Sequence, residues 1–259
     1  MCRFASLLML LLLRLSQAYQ DDNMQEQDEE VPIDISDKIL TANNATDEIL
    51  LEGDMLIPRT RNAIKCWYWN CRWSKYSDGY VSIPYVVSRD FPEREKQKIE
   101  MAMRAFHGTT CIRFVPRTDE FDYISVESRG GCFSSLGRQG GKQVVSINRF
   151  GCLYHGIILH ELIHALGFQH EQTRSDRDGY VRIIWENIDP ETTYNFIRQD
   201  TNNLNTPYDY TSVMHYGKTA FSINGRDTII PIPDANVQIG QRSEMSQWDI
   251  KRINLLYDC

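Results

Sequence analysis

An α+β domain in two lobes is the fold the sequence predicts, and three observations carry that expectation. Short runs of β-branched and aromatic residues, with one amphipathic helical stretch among them, crowd the chain before residue 150. A long, almost wholly apolar helical run follows, "LYHGIILHELIHALGF" (153–168). Beyond it the chain is rich in Asn, Asp, Thr and Pro, with little regular patterning until its last fourteen residues. The histidine-bearing helix therefore sits between a first lobe of sheet plus two helices and an irregular second lobe that ends in a helix.

The elements follow in order. "MCRFASLLMLLLLRLSQAYQ" carries Arg3, an apolar run from Leu7 to Leu13 and then Ser16-Gln17-Ala18, the three-part form of a secretory signal over residues 1–18. A membrane anchor is the alternative, but spanning takes about 20 apolar residues and Arg14 interrupts this run. No later run is long enough to span either, so a soluble secreted protein without a membrane anchor is expected. Residues 19–61 hold 12 acidic and 3 basic residues and no aromatic after Tyr19. Such a segment buries too little apolar surface to offset chain entropy, and much of it should be disordered alone. Arg59 and Arg61 in "IPRTRNAIKC" offer a cleavage site after Arg61 to a trypsin-like protease, unless they are mere surface charge. Residues 62–259 carry 23 basic and 23 acidic residues, a balance that attracts neither nucleic acid nor a charged membrane. Their length suits one domain with a real core, expected as a monomer.

Within that domain "GYVSIPYVVS" (79–88), "CIRFV", "YISVES" and "VVSIN" read as strands. "PEREKQKIEMAMRAFHGTT" (92–110) reads as an amphipathic helix, with Ile99, Met103 and Phe106 at helical spacing and Gly108 as its stop. Ser246 and Asp249 make a capping-box-like start to the final helix. Six cysteines remain beyond the signal: Cys66, Cys71, Cys111, Cys132, Cys152 and Cys259. An even count in a secreted chain implies a disulfide framework, with 15 possible connectivities. Zinc binding by "CWYWNC" is a weaker alternative, since that pair has no companion.

"HELIHALGFQH" (160–170) carries the chemistry. Residues four apart share a helix face, so His160 and His164 present two imidazoles to one point, as a tetrahedral Zn2+ requires. Glu161 lies one step round, able to act on water at the metal without being a ligand. Gly167 can take positive φ and let the chain leave the helix, so that His170 returns as a third ligand. Three nitrogens leave the fourth position open, which marks a catalytic rather than a structural site. The bland alternative is three core histidines satisfied by backbone groups.

"HELIHALGFQHE" followed by "SVMHY" (212–216) resembles the astacin family of zinc metallopeptidases, within the metzincins, from "NAIKCW" to the terminal "YDC". The resemblance is strongest to the six-cysteine fish members, hatching enzymes among them. It implies the two-lobed metzincin fold with a twisted sheet, one zinc ion per chain on His160, His164 and His170, and Glu161 as general base. It makes Met214 the methionine of the turn beneath the metal. Tyr216 becomes the tyrosine that leaves the metal to hydrogen-bond the oxyanion. Glu171 matches the residue that pairs with the new amino terminus, which would be Asn62. "LEGDM" resembles an F-x-G-D element whose aspartate, here Asp54, occupies the open zinc position in the precursor, with Leu51 where the family usually has Phe. The implied disulfides are Cys111–Cys259, Cys132–Cys152 and Cys66–Cys71. Asn44 in "NAT" is a glycosylation sequon. Arg242 in "IGQR" resembles a position lining the pocket after the scissile bond and would favour acidic residues there; a plain surface arginine is the alternative.

The function so implied is a secreted zinc endopeptidase made as an acidic-propeptide zymogen (19–61) with a catalytic domain at 62–259, stored in secretory granules and digesting egg-envelope glycoproteins. Action on matrix or growth-factor precursors is an alternative within the class. An inactive secreted binding scaffold is the alternative outside it, and the presence of Glu161, all three histidines and Asp54 speaks against that.

Overall fold

The computed structural model describes residues 34–44, 46–57, 71–241 and 243–259. The signal segment, Arg59, Arg61, Asn62, Cys66 and Arg242 lie outside the described residues.

A seven-stranded sheet carries the first lobe, in the order β1-β2-β6-β7-β5-β3-β4. Its strands are β1 (Leu50–Leu51), β2 (Met55–Leu56), β3 (Val81–Val87), β4 (Ile112–Pro116), β5 (Tyr123–Glu127), β6 (Cys132–Ser134) and β7 (Lys142–Ile147). β4, β3, β5 and β7 run parallel and β6 turns antiparallel to β7. Helix α2 (Glu93–His107) is the crossover between β3 and β4. Its Ile99, Ala102, Met103 and Phe106 are buried, the stripe of an amphipathic helix laid on a sheet. Phe106 meets Phe114 of β4 edge to face at 5.3 Å.

Helix α3 (His155–Ala165) is buried on every side from Gly156 onward, which explains why its sequence shows no polar face. It ends where expected: Leu166 caps it and Gly167 takes φ 105°. Downstream the chain is mostly 3-10 turns, with a two-stranded sheet of β8 (Val181–Ile183) and β9 (Ile229–Pro231). A second, smaller core forms there from Val181, Ile188, Phe196, Tyr216, Ala220 and Ile229. The last helix, α4 (Gln247–Leu256), opens with the Ser246/Asp249 capping box. The Tyr257 hydroxyl, just past it, donates to the Leu166 carbonyl at the end of α3. Cys111–Cys259 and Cys132–Cys152 are bonded, as the resemblance implied, and Cys71 is in a disulfide.

The described part of the acidic segment, residues 34–44 and 46–57, forms a helix and two short strands. Residues Ile35–Asn43 form helix α1, N-capped by the Asp34 side chain on the Ser36 N–H at 2.8 Å. Ile39 joins the first core and Leu40 packs on the second, so the body supplies the apolar surface the segment lacks by itself. β2 adds to the edge strand β6 in parallel, Met55 opposite Ser134, and β1 pairs back on β2. No helix among the described residues is long and apolar enough to cross a membrane.

His107, which matches no ligand position, ends α2 with its Nε2 accepting the Phe114 N–H at 3.1 Å. Burial, then Arg113 and Arg104, push its imidazole below the ordinary 6.5. The unfolded chain therefore takes up this proton first as pH falls below 6.5, and the folded state loses stability until its own lower pKa is passed. Between about pH 7.5 and pH 5.5 the wild type should lose more denaturant stability than His107→Gln. Parallel losses in the two chains would contradict this assignment.

Candidate metal centre

On α3 the i, i+4 spacing stacks His160 and His164 on one face. Gly167 reverses the chain, and His170 returns to the same point. The Nε2 atoms of His164 and His160 lie 3.1 Å apart, and those of His160 and His170 3.2 Å. Asp54, from the turn between β1 and β2, completes the group. Its Oδ2 is 3.0 Å from His160 Nε2 and 3.2 Å from His170 Nε2, and its Oδ1 is 3.3 Å from His164 Nε2. All four side chains are buried. Edges near 3 Å describe a tetrahedron whose centre lies about 2 Å from each vertex, the bond length zinc takes with imidazole and carboxylate.

The proton inventory says the same. His160 Nδ1 donates to the Val213 carbonyl at 2.8 Å and His164 Nδ1 to the Phe168 carbonyl at 2.7 Å. His170 Nδ1 meets the Glu52 carboxylate at 2.8 Å. Carbonyls and carboxylates only accept, so each Nδ1 carries its proton, and in the neutral imidazole each Nε2 turns a lone pair inward. Three facing lone pairs cannot satisfy one another; a cation satisfies them all. The two carboxylates demand the same charge. Burial alone would lower His170, but Asp54 and Glu52 outweigh it and raise that imidazole to about 9. Burial lowers His160 to about 4, with His164 and His170 acting in the same direction and Asp54 opposing them. Burial would raise Asp54, yet His170, His164 and His160 hold it well below the ordinary carboxylate range. The donor set fits one zinc ion.

Glu161 is fully buried, and neither carboxylate oxygen has a hydrogen-bond partner among the described residues. Burial, reinforced by the charge on Asp54, pushes its carboxyl well above the ordinary value. Tyr216 is buried with its ring centroid 4.6 Å from that of His170. Its hydroxyl donates to the main-chain carbonyl of Glu52, and its N–H donates to Gln172 Oε1 at 3.0 Å. Met214 is buried in the turn that follows Val213, and its carbonyl accepts the Glu171 N–H.

Glu171 is buried and fully partnered. Arg252 of α4 grips both its oxygens at 2.6 and 2.9 Å, while Arg174 and the Asp209 N–H reach Oε1 at 3.2 and 2.7 Å. Asn62, its expected partner, and Arg242 lie outside the described residues. Asn44 is exposed at the end of α1. Its neighbour Asn43 turns inward and bonds the Cys132 N–H, the Cys132 carbonyl and the Gly53 carbonyl, each at 2.7 Å.

Three contributors went unread in the sequence: Glu52, Arg252 and Asp249. Asp249 accepts from Ser212 Oγ at 2.6 Å and from the Val213 N–H at 3.0 Å. It thereby holds Val213, the residue whose carbonyl accepts from His160 Nδ1. Glu52 left a local signal in standing two residues from Asp54, and Asp249 left one only as the capping-box residue of the final helix.

A helix bearing two histidines, a third beyond a glycine turn and an unpartnered glutamate beside them define a metal-dependent hydrolase. Comparison with known proteins is specific. Residues 70–258 match the model of the astacin peptidase family, and the chain belongs to that family. It is 60% identical to high choriolytic enzyme 1 of Oryzias latipes, over 98% of this chain and 97% of that one. Low choriolytic enzyme of the same fish is 52% identical, covering 98% of each. The solved structure of high choriolytic enzyme 1, described as a hatching enzyme zinc-protease from medaka, superposes with a TM-score of 0.74. It is 66% identical, over 76% of this chain and all of that one. The fold is the metzincin fold, and the protein is a zinc metalloendopeptidase.

Asp249→Ala should weaken zinc binding by the full chain about tenfold or more, the usual cost of losing an outer-sphere partner, as read by chelator competition. Unchanged affinity would show that the Val213 carbonyl is held without it.

Proposed function

We propose that this chain is secreted as an inactive precursor whose residues 62–259 digest egg-envelope proteins at hatching, with residues 1–18 as signal and 19–61 as propeptide. The observation that carries the precursor reading is Asp54. A carboxylate from the acidic segment sits 3.0–3.3 Å from all three histidine nitrogens, at the corner that hydrolysis needs open. Identity of 60% to a choriolytic enzyme over nearly the full length of both chains supports the hatching role. A trypsin-like protease cutting after Arg61 would remove the segment, and the enzyme would act as a monomer released from secretory granules.

His160, His164 and His170 would hold the zinc ion, which would act as a Lewis acid toward the scissile carbonyl and would lower the pKa of water. Glu161 is the general base. It takes a proton from the attacking water and hands it to the leaving amine, and with no hydrogen-bond partner among the described residues its carboxylate is unengaged for that role. Tyr216, once its hydroxyl is released from the Glu52 carbonyl, donates to the oxygen where negative charge develops. Met214 shapes the turn behind the ligands. The new amino terminus at Asn62 would join Glu171 in its buried site. Arg242 would favour an acidic residue after the scissile bond, and peptide-library cleavage by Arg242→Ala with an unchanged preference would remove that assignment.

Full chain treated with trypsin should cut denatured protein and soften isolated fish egg envelopes, and a chelator should abolish both. Glu161→Gln should bind zinc normally yet lose roughly 10²- to 10⁴-fold in kcat. A Glu161→Gln enzyme as fast as wild type would dismiss the general-base role. Activity on denatured protein with none on envelopes would dismiss the hatching role. Asp54→Ala should cut protein without trypsin, while a silent Asp54→Ala chain would count against Asp54 as the block.

A further inference from the structure

Two of the three ligand histidines are oriented by the body and one by the acidic segment. His160 and His164 donate their Nδ1 protons to the main-chain carbonyls of Val213 and Phe168. His170 donates instead to the side chain of Glu52, two residues before Asp54. We propose that Glu52 is a positioning residue of the metal centre. It is a second carboxylate that the segment lends to His170, tying the hold on zinc to the docking of the segment. Residues 19–61 are taken here as the removable propeptide proposed above.

The local geometry delivers that carboxylate. Glu52 takes φ 50° and Gly53 φ 80°, so two successive left-handed residues fold the chain sharply between β1 and β2. A left-handed glutamate is uncommon, and here its surroundings hold it there. Gly53 suits the turn because its φ of 80° strains any other side chain, and a Cβ there would also press on Leu40 Cδ2 at 2.7 Å and Phe221 Cζ at 2.9 Å. The fold-back sends the Glu52 side chain to His170 and its carbonyl to Tyr216, and it sends Asp54 to the open corner.

Glu52 is fully buried. Its Oε2 accepts from His170 Nδ1 at 2.8 Å and, at longer range, from Thr173 Oγ1 at 3.3 Å and the His170 N–H at 3.4 Å, while its Oε1 has no partner among the described residues. Among the described residues no lysine or arginine pairs with it; the ring that faces it is the imidazole of His170. A buried carboxylate with so few donors is costly unless charge reaches it through that imidazole. A metal-bonded imidazole does this. The carboxylate in turn fixes the ring and strengthens its nitrogen donor, an effect worth about 10- to 100-fold in metal affinity at comparable sites. Coupling of this kind is reciprocal: the segment tightens the metal and the metal tightens the segment. Removing the segment takes away the acceptor of His170 and leaves those of His160 and His164 in place.

The test compares zinc-loaded full chain with Glu52→Gln, Glu52→Ala and Asp54→Asn. Two readouts are taken: the rate of zinc release to a chelator, and the exchange-protected Nδ1 protons of the three ligand histidines by NMR. Glu52→Gln, nearly isosteric and uncharged, should release zinc about tenfold faster while all three protons remain protected. Glu52→Ala should release it faster still and lose protection at His170 alone. Asp54→Asn should keep the His170 proton, because the Glu52 carboxylate remains. Zinc release from Glu52→Gln at the wild-type rate overturns the proposal, as does equal loss of all three protons in Glu52→Ala. Neither result bears on Asp54 as the block, which the trypsin-free activity of Asp54→Ala decides separately.

Discussion

Three buried imidazoles turn their Nε2 atoms on one another at about 3 Å, an arrangement that calls for positive charge between them. Most of the fold around them answers that demand. Helix α3 is buried on all sides because it must carry two of the rings into the interior, where water cannot compete for them. The Met214 turn is bound down by Asp249 so that the Val213 carbonyl stays aimed at His160. Arg252, one turn further along α4, grips Glu171 beside His170. The C-terminal helix thus braces two of the three ligand segments, and the Cys111–Cys259 bridge ties its end to the head of β4.

The acidic segment enters this frame as both cover and counter-charge. Its own apolar content is small, yet Ile39 and Leu40 reach the two cores and β2 extends the sheet past β6. Asn43 supplies the hydrogen bonds that the edge at Cys132 lacks. The Glu52–Asp54 turn then places two carboxylates against a site of net positive demand. Electrostatics and packing therefore hold the segment against the body, and with it in place Glu161 and Tyr216 are buried.

Much of this was legible in the sequence because it was periodic or local. Helix α2 follows from Ile99, Met103 and Phe106, α3 from its unbroken apolar run, and α4 from its capping box. The metal cluster was legible because two of its ligands share one helix face and a glycine turn brings in the third. Helix α1 was not, since its packed face is short, with Ile39, Leu40 and Ala42, and takes meaning from surfaces far along the chain. Glu52–His170 and Glu171–Arg252 were hidden for the same reason. They span 118 and 81 residues, and no local pattern marks a carboxylate as the partner of one imidazole or guanidinium rather than another. Glu171 stood out only through its place after the third ligand, and its arginine partners came from elsewhere.

X-ray absorption at the zinc edge, on the full chain before and after trypsin, tests the central claim most directly. The uncut chain should show three histidine nitrogens and one carboxylate oxygen at about 2 Å, and the cut chain should lose the carboxylate while keeping all three histidines. A first shell with fewer than three histidines, or a carboxylate that stays after cutting, would contradict the account.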